Sequence, residues 1–246
     1  MSNIAVILAG GSGSRMHDKA VTPTDARTVL PKQFLPLSGR TVIEHSIDTF
    51  NQHPAIDEVA IVVNPMWRNI MEEIANQRRW QKLNHIIDGG SERYLSTLNA
   101  IMAFINRPDN TNILFHDAAR PLVSTVIIDR VIAALQHSEA VGVAIPSTDT
   151  IWEVHPDMSD NNGDNIVARI PERRIMWQAQ TPQAFRLPLI RDAYQRALQD
   201  PQFTVTDDCS VIRRYMPCTK IVVVEGDDRN LKITTSNDLK RIEYFL

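Results

Sequence analysis

Glycines and cations follow the first apolar segment of the chain at a spacing that suits phosphate binding. The run Ile4 to Leu8 leads directly into the glycines Gly10, Gly11 and Gly13. Glycine lets a turning backbone bring its N–H groups close to an anion. Arg15 lies in the same loop and Lys32 follows it, and a forked donor with a compact point charge suits a polyphosphate. Glycine-rich turns and surface lysines also occur without a ligand, so this site is a hypothesis.

The loop matches neither of the two common nucleotide motifs. A dinucleotide-binding loop requires glycine at the sixth position counted from Gly11, where this chain has Met16. A Walker loop requires Gly-Lys followed by Ser or Thr, and the segment GGSGSRM lacks that sequence. The pattern therefore indicates phosphate binding of another kind.

Short apolar runs recur along the chain and predict buried parallel strands, because both faces of such strands are covered. The runs are Ile4–Leu8, Val59–Val63, Ile113–Phe115, Val141–Ile145 and Ile221–Val224. Apolar residues at helical spacing predict helices at Val42 to Phe50 and at Val126 to Leu135. The alternation predicts an α/β fold with a Rossmann-like, doubly wound, mostly parallel sheet. Such a sheet binds ligands at the carboxyl ends of its strands.

Residues 147–176 break this alternation and predict a projecting arm. Two strand-like stretches within residues 149–170 flank a loop rich in Asp, Asn and Gly, which is typical of a β-hairpin. The stretches carry Trp152, Val154 and Ile170, which need cover because an isolated hairpin is marginal in water. We therefore expect one domain, residues 1–246, whose arm forms a homodimer with a second copy. A hairpin folded back on its own domain is the alternative.

The composition disfavours several classes of partner. The 246 residues have a net charge of -3, with 43% apolar and 22% charged residues, which is an ordinary globular balance without the basic face that nucleic-acid binding requires. Cys209 and Cys218 are too widely spaced for a CxxC pair. No apolar stretch approaches the roughly 20 residues of a membrane span, and no export signal is recognisable before Ile4. We expect a cytoplasmic protein that binds neither nucleic acid nor a membrane.

Ordered motifs along nearly the whole chain resemble those of a known family. After LAGGSGSRM and PKQFLPL come DGGSERYLSTLNA (88–100), HDAARP (116–121), PSTDT (146–150), WQAQTPQAF (177–185), TDD (206–208) and VEGDDRNLKIT (224–234). The set is similar to that of CTP-dependent alditol-phosphate cytidylyltransferases. The resemblance implies a fold of the nucleotide-diphospho-sugar transferase type. It also implies transfer of a cytidylyl group from CTP to an alditol phosphate, which releases pyrophosphate.

Two branches of this family differ in the acceptor. The segments ILAGG, KQFLPL and TPQAF favour D-ribitol 5-phosphate and therefore CDP-ribitol as the product. Trp152 favours the same acceptor, since the other branch often has a basic residue there. The alternative acceptor is 2-C-methyl-D-erythritol 4-phosphate, of the non-mevalonate isoprenoid pathway. An inactive CTP-binding regulator is a third interpretation, which the retained charged residues disfavour.

The resemblance implies the charged residues of the reaction. The implied catalytic cations are Arg15, Lys32 and Lys232. They neutralise the triphosphate and the charge that develops at the α-phosphorus. Asp117, at the end of a predicted strand, is the implied ligand of Mg²⁺, which takes one or two carboxylates together with phosphate oxygens. A capping role for Asp117 is the alternative.

The resemblance assigns CTP to the glycine loop and to groups near it. The implied nucleotide-binding residues are Ala9, Gly10, Gly11, Gly13, Gly90, Ser91, Ser96 and Ala118. Backbone groups can read the exocyclic amine of cytosine as well as side chains can. Ser91 stands where the family commonly has aspartate, so its backbone is the expected contact. Helix capping is the alternative role for both serines.

The implied acceptor site is shared between two subunits. Its residues are Thr150, Arg173, Thr181 and Thr206. Arg173 offers a bidentate grip on the substrate phosphate, and the adjacent Arg174 could take its place. Thr150 and Arg173 match positions that reach into the pocket of the partner. A separate pentulose-phosphate reductase is an implied partner in the pathway.

The segment 17–30, HDKAVTPTDARTVL, is longer than family members usually carry. It lies between the phosphate-binding residues Arg15 and Lys32. A lid that closes over CTP is one hypothesis. A surface insertion without a function is the other, because a longer loop costs little entropy.

Overall fold

The computed structural model describes residues 1–11, 30–155 and 164–246. Gly13, Arg15, residues 17–29 of the insert and the tip of the predicted hairpin lie outside these ranges. The predictions made for them therefore lie outside the described residues.

The strands and helices of the described ranges alternate along most of the chain. The strands are β1 (Asn3–Ala9), β2 (Pro36–Leu37), β3 (Arg40–Thr41), β4 (Glu58–Val63), β5 (Leu83–Asp88), β6 (Asn112–Asp117), β7 (Ala140–Pro146), β8 (Glu153–Val154), β9 (Val167–Arg169), β10 (Trp177–Arg186) and β11 (Ile221–Glu225). The helices are α1 (Val42–Gln52), α2 (Arg68–Arg78), α3 (Arg93–Ala103), α4 (Thr125–Ala134), α5 (Leu187–Ala197), α6 (Asp208–Tyr215) and α7 (Ser236–Glu243).

Seven of the described strands form one sheet in the order β11, β7, β10, β6, β1, β4, β5. The β1, β4, β5 and β6 strands are parallel to their neighbours in this group, and β11 is parallel to β7. The β10 strand runs antiparallel between β6 and β7. The predicted α/β fold with a mostly parallel sheet is confirmed.

The apolar runs predicted as strands are confirmed as β1, β4, β6, β7 and β11, and the two predicted helices are confirmed as α1 and α4. The β5 and β10 strands were not predicted from the sequence. Asn84 and His85 interrupt the apolar run of β5, and WQAQTPQAF of β10 contains several polar residues. Their pairing depends on neighbouring strands that hydrophobic periodicity does not reveal.

The core lies on both faces of the sheet, because side chains alternate along each strand. All seven residues of β1 are buried. Ala5 and Ile7 pack in the cluster that contains Phe50 of α1. Ile4 and Val6 pack in the cluster on the other face with residues of α3 and α5. This packing fixes the carboxyl ends of the central strands, where the sequence placed its phosphate loop.

The predicted hairpin is present as β8 and β9, which pair antiparallel outside the main sheet. Trp152 and Ile170 beside these strands are 62% and 59% exposed. The alternative in which this hairpin folds back on its own domain is therefore wrong for these side chains. Docking on a second copy stays a prediction. In the described ranges no helix has the length and apolar character of a membrane span.

Candidate active site

A cavity of about 300 Å³ opens at the carboxyl ends of β1, β4 and β6. In the sheet order β1 lies between β4 and β6, so the chain crosses from one side of the sheet to the other at this point. Crevices at such a switch point are the usual ligand sites of open α/β sheets. The lining residues are Leu8, Ala9, Gly10, Gly11, Lys32, Gln33, Asn64, Gly90, Ser91, Glu92, Arg93, Ser96, Asp117, Ala118, Ala119 and Lys232.

Most of the predicted site residues in the described ranges meet at this cavity. Those that line it are Ala9, Gly10, Gly11, Lys32, Gly90, Ser91, Ser96, Asp117, Ala118 and Lys232. They come from positions as far apart as 9 and 232, so the fold brings them together. Gln33 and Arg93 also line it, and they belong to the motifs PKQFLPL and DGGSERYLSTLNA without being predicted site residues.

The cavity wall leaves no space for a side chain at Gly10 or Gly90. A Cβ added at Gly10 would lie 2.7 Å from the Ser96 hydroxyl, and one at Gly90 would lie 2.2 Å from the Leu95 Cβ. The Ser96 hydroxyl accepts a hydrogen bond from the Gly90 N–H at 3.2 Å. These positions therefore require glycine, because Ser96 and Leu95 of α3 occupy the space that a side chain would need. Ser91 does not cap α3, whose N-cap residue is Glu92.

The Gln33 side chain holds the start of the glycine loop by hydrogen bonds. Its side-chain amide donates to the carbonyl oxygen of Ala9 at 2.7 Å and to that of Gly11 at 3.2 Å. Gln33 is buried, so these carbonyl groups are satisfied from inside the protein. The sequence signal was the position of Gln33 directly after Lys32 in the PKQ segment.

Asp117 is surrounded by cations. Nζ of Lys232 lies 2.6 Å from one carboxylate oxygen, and Nε of Arg93 lies 3.6 Å from the other. Burial opposes ionisation of Asp117, but Arg93 and Lys232 outweigh it and hold the pKa of Asp117 well below its usual range. Asp117 is therefore a carboxylate at neutral pH. This contact also places Lys232 at the wall of the cavity.

Lys32 lines the same cavity as Lys232, although it comes from the N-terminal part of the chain. Its ammonium donates to the carbonyl oxygen of Ile233 at 2.7 Å. The Ile233 N–H in turn donates to the carbonyl oxygen of Ala119 at 2.8 Å. Lys32 and Lys232 are thus held at one cavity although 200 residues separate them in sequence.

Arg93 is the main functional candidate that the sequence analysis missed. Its Nη2 lies 2.8 Å from the Asp208 carboxylate. Burial lowers the pKa of Arg93, but Asp208 and Asp117 outweigh burial and raise it above the usual range. The available signal was the arginine in the quoted motif DGGSERYLSTLNA together with the second aspartate of TDD. Their spatial contact was not deducible, because α3 and α6 are far apart in sequence.

His116 and Thr181 support Asp117 from behind. The Thr181 hydroxyl accepts a hydrogen bond from the Asp117 N–H at 3.0 Å and lies 3.1 Å from Nδ1 of His116. Burial lowers the pKa of His116 to about 4, so this ring is neutral at pH 7. Thr181 is buried and does not line the cavity. Its position is that of a support, whereas the resemblance implied a contact to the acceptor.

The other residues implied in acceptor binding lie outside the cavity of their own chain. Thr150, Arg173 and Thr206 are exposed. A guanidinium nitrogen of Arg173 donates to the carbonyl oxygen of Thr148 at 3.2 Å. Arg174, the alternative to Arg173, pairs with Glu172. Arg173 is therefore held against the segment that contains Thr150, through its contact with Thr148, and its role at the acceptor stays a prediction.

The residues present fit a Mg²⁺ ion that arrives with a nucleotide. Asp117 offers one carboxylate at the wall of the cavity, and Mg²⁺ commonly takes one or two carboxylates with phosphate oxygens as its other ligands. Within the described ranges, no three His, Cys, Asp or Glu side chains converge on a common point that could hold a metal ion. Asp117 is therefore the group of this donor set that could contribute to such an ion there.

A glycine-walled cavity at the switch point of a parallel sheet, with cations around one carboxylate, is typical of nucleotide-binding α/β proteins. The family model described as IspD, 2-C-methyl-D-erythritol 4-phosphate cytidylyltransferase, matches residues 3–246. The chain belongs to the IspD family, whose members are CTP-dependent cytidylyltransferases and therefore nucleotidyltransferases. The resemblance identified from the motifs is thus confirmed.

Relatives of the chain carry two descriptions. It is 41% identical over 242 residues to the 2-C-methyl-D-erythritol 4-phosphate cytidylyltransferase of Thermobifida fusca (strain YX), which covers 98% of this chain and 92% of the relative. It is 40% identical over 237 residues to the bifunctional ribulose 5-phosphate reductase/CDP-ribitol pyrophosphorylase Bcs1 of Haemophilus influenzae, which covers 96% of this chain and 46% of the relative.

Solved structures agree with the fold. The 4-diphosphocytidyl-2C-methyl-D-erythritol synthase of Anaerococcus prevotii DSM 20548 has a TM-score of 0.82 at 29% identity, covering 99% of this chain and 95% of that one. The fold prediction is confirmed by this likeness. The preference for D-ribitol 5-phosphate is not specifically supported, because the family model and the relative from Thermobifida fusca are both described by the alternative acceptor.

Proposed function

We propose that this cytidylyltransferase uses 2-C-methyl-D-erythritol 4-phosphate as its acceptor. The observation that carries the proposal is the match of the 2-C-methyl-D-erythritol 4-phosphate cytidylyltransferase family model to residues 3–246. The product is then the CDP-alditol, and pyrophosphate is released. Residues 1–246 act in this proposal as one nucleotidyltransferase domain.

The chemistry requires two anions to meet. A phosphate oxygen of the acceptor attacks the α-phosphorus of CTP, and the bond from that phosphorus to the oxygen bridging to the β-phosphate breaks. Catalysis of such a transfer consists mainly of positioning and of neutralising charge. Lys32, Lys232 and Arg93 line the cavity and supply positive charge for it. Arg15, which lies outside the described residues, is proposed from its motif alone.

Mg²⁺ is the cofactor in this proposal. Asp117 would hold the ion together with phosphate oxygens of CTP, and the ion would neutralise charge on those phosphates. Lys232 pairs with Asp117 at 2.6 Å. This contact holds the proposed metal ligand, Asp117, next to Lys232, a cation proposed to bind the phosphates. The ordinary ionised form of Asp117 is the form that this role requires.

The cytosine ring is read by backbone groups in this proposal. Ala9, Gly10 and Gly11 after β1, and Gly90 and Ser91 after β5, line the same cavity. The missing side chains at Gly10 and Gly90 leave their backbone groups accessible to the base. Ser96 and Ala118 complete this wall.

The acceptor is held between two subunits in this proposal. Thr150 and Arg173 are exposed at the base of the arm, and a second copy would bring them to the cavity of its partner. Arg173 then grips the acceptor phosphate, and Thr206 adds a hydroxyl from the segment before α6. The homodimer through the arm is part of the same proposal.

A second candidate acceptor is D-ribitol 5-phosphate. The 40% identity to a protein described as a CDP-ribitol pyrophosphorylase favours it, and so does Trp152 in place of a basic residue. In that case a pentulose-phosphate reductase on a separate chain would supply the acceptor. Both acceptors carry a phosphate monoester group, so the pocket must distinguish them by the shape of their carbon chains.

The deciding experiment measures pyrophosphate release with CTP and Mg²⁺ in three parallel reactions. One contains 2-C-methyl-D-erythritol 4-phosphate, one D-ribitol 5-phosphate and one no acceptor, and Lys32→Ala serves as the inactive control. Release with the methylerythritol compound supports the proposal. Release with ribitol phosphate alone would overturn it in favour of the second candidate.

A further inference from the structure

A buried tyrosine and a buried aspartate lie directly behind the cavity. Tyr194 of α5 and Asp208 of α6 are both 0% exposed. The Tyr194 hydroxyl donates to one Asp208 oxygen at 2.7 Å, and Nη2 of Arg93 lies 2.8 Å from the other. Neither Tyr194 nor Asp208 lines the cavity, whereas Arg93 does. The pair therefore reaches the site through Arg93.

Asp208 is fixed in place from several directions. It is the first residue of α6, and Asp207 before it caps the helix by accepting from the Ser210 N–H at 2.8 Å. Gln183 of β10 accepts from the Cys209 N–H at 3.0 Å and donates to the Asp207 carboxylate at 2.7 Å. A charge that is buried without a partner is strongly unfavourable, so this rigid carboxylate holds the Arg93 guanidinium closely.

The position of Arg93 is a compromise between two carboxylates. Its Nε lies 3.6 Å from Asp117, longer than the 2.8 Å contact of its Nη2 with Asp208. Without Asp208, Asp117 would be the remaining carboxylate in contact with Arg93. The guanidinium would then close on Asp117 and neutralise the group that faces the nucleotide.

We propose that Asp208, oriented by Tyr194, is a positioning residue that holds Arg93 at the cavity wall as a phosphate cation and keeps it from collapsing onto Asp117. The inference rests on the proposed function, because it assigns the cavity to the triphosphate of CTP. It adds a role for the second aspartate of TDD and for a core tyrosine. Burial and the neighbouring Asp208 carboxylate raise the pKa of Tyr194, so the hydroxyl remains a donor.

The test compares two nearly isosteric changes by equilibrium CTP binding and by steady-state kinetics. Tyr194→Phe deletes one hydroxyl, and Asp208→Asn deletes one charge. We expect the dissociation constant and the KM for CTP to rise roughly tenfold for Asp208→Asn and about threefold for Tyr194→Phe, as for a lost hydrogen bond to a charged group. The KM for the acceptor should stay within about twofold, because the network holds the nucleotide side of the site.

A double-mutant cycle shows whether Arg93 carries the effect. In an Arg93→Ala background, Asp208→Asn and Tyr194→Phe should each change CTP binding by less than about twofold, since the residue that they position is gone. Equal losses in the presence and absence of Arg93 would overturn the proposal and indicate a role in folding alone. Thermal melting of each variant separates loss of fold from loss of binding. Should Asp208→Asn not fold, the cycle with Tyr194→Phe decides.

Tyr215→Phe is the matched control. The Tyr215 hydroxyl donates to the Asp200 carboxylate at 2.7 Å, which is the same kind of bond as that from Tyr194 to Asp208. Neither Tyr215 nor Asp200 lines the cavity, and the carboxylates paired with Arg93 are those of Asp117 and Asp208. CTP binding should be unchanged in this variant, and a loss as large as that of Tyr194→Phe would contradict the proposal. A wild-type protein that binds CTP but transfers the cytidylyl group to neither acceptor would refute the proposed function. The double-mutant cycle, which measures CTP binding alone, would still test this inference.

Discussion

At the scale of single residues, the site is organised around one carboxylate and the cations that it attracts. Asp117 pairs with Lys232 at 2.6 Å and lies 3.6 Å from Arg93. Such pairing holds the flexible cationic side chains in place before the nucleotide binds. It also keeps Asp117 ionised, because Arg93 and Lys232 outweigh the effect of burial and lower its pKa.

Lys232→Met tests this organisation. Methionine keeps much of the apolar stem and removes the ammonium, so Asp117 loses its closest cation and the phosphates lose one donor. We expect kcat/KM to fall by about 100-fold or more, as when one donor to a developing anion is removed. Steady-state kinetics measure the change. The control is Lys240→Met on α7, an exposed lysine, which should keep full activity, and a Lys232 variant with near-normal activity would exclude a catalytic role.

At the scale of elements, the polar strand β10 connects the loops of the site. Gln180 donates to the Asp227 carbonyl oxygen at 2.9 Å and accepts from the Asn230 amide at 3.1 Å, which fixes the loop before Lys232. The Thr181 hydroxyl supports Asp117 by accepting a hydrogen bond from the Asp117 backbone N–H at 3.0 Å. The strand inserts antiparallel between β6 and β7, so its buried polar groups face loops on both sides.

Gln180→Leu should therefore loosen the loop that precedes Lys232. The change is close to isosteric and leaves the half-buried Asp227 carbonyl and the buried Asn230 amide without this partner. We expect a loss of about 2 kcal/mol in the free energy of unfolding, as for buried polar groups left unsatisfied, together with a higher KM for CTP. Urea denaturation and kinetics measure both. Gln178→Leu on the same strand changes an exposed glutamine and should alter neither quantity; equal effects of the two changes would rule out the proposed role of Gln180.

The start of helix α1 predicts a pH dependence of stability. Burial would raise the pKa of Glu44, but hydrogen bonds from Thr41 and Arg78 outweigh it and lower that pKa. A carboxyl group with a lowered pKa in the folded state stabilises the protein above its ordinary pKa, and this contribution is lost as the pH falls.

Glu44→Gln should accordingly lower the free energy of unfolding by about 1 to 2 kcal/mol at pH 7, as for hydrogen bonds to a charged group. The difference from the wild type should shrink at pH 4, where the wild-type carboxyl begins to be protonated. Denaturation at the two pH values gives the result. Glu72→Gln removes the exposed pair of Glu72 with Arg68 and should cost less than about 0.5 kcal/mol. A pH-independent difference at Glu44 would show that its charge is not the cause.

At the scale of the whole molecule, the arm exposes an unusual amount of apolar surface. Trp152, Ile170 and Ile175 of the arm are between 59% and 62% exposed, and Trp177, the first residue of β10, is 46% exposed. Trp152 and Ile170 lie beside the two-stranded hairpin, Ile175 and Trp177 follow it in the chain, and exposed apolar side chains grouped in this way commonly mark a protein interface. A second copy would cover these side chains and bring Thr150 and Arg173 to its cavity.

Trp152→Glu should shift the protein toward monomers, because a charge would be placed in the proposed interface. We expect transfer activity to fall with the dimer fraction, since each site would lack the arm of its partner. Sedimentation velocity and activity are measured at the same concentrations. Met102→Glu changes an apolar residue on α3 that is 53% exposed and should affect neither. A fully dimeric Trp152 variant would place the interface elsewhere.

Much of the site was predictable from the sequence because its residues belong to contiguous motifs. Lys32, Asp117 and Lys232 were expected at one site and line one cavity. Arg93 and Gln33 lay within quoted motifs, but nothing in the sequence separated them from surface residues. Thr181 lies beneath Asp117 and outside the lining of the cavity, a position that the sequence does not show, and its expected contact with the acceptor stays a prediction.

Local residue types and short-range periodicity were enough to predict the apolar runs of β1, β4, β6, β7 and β11, the glycine loop and the order of the motifs. That β10 enters the sheet antiparallel and that Arg93 lies between Asp208 and Asp117 became visible only in the folded chain. The physical reason is that these contacts join segments far apart in the chain. Their energies come from burial and charge pairing, which exist only when the packed sheet and helices have excluded water from between them.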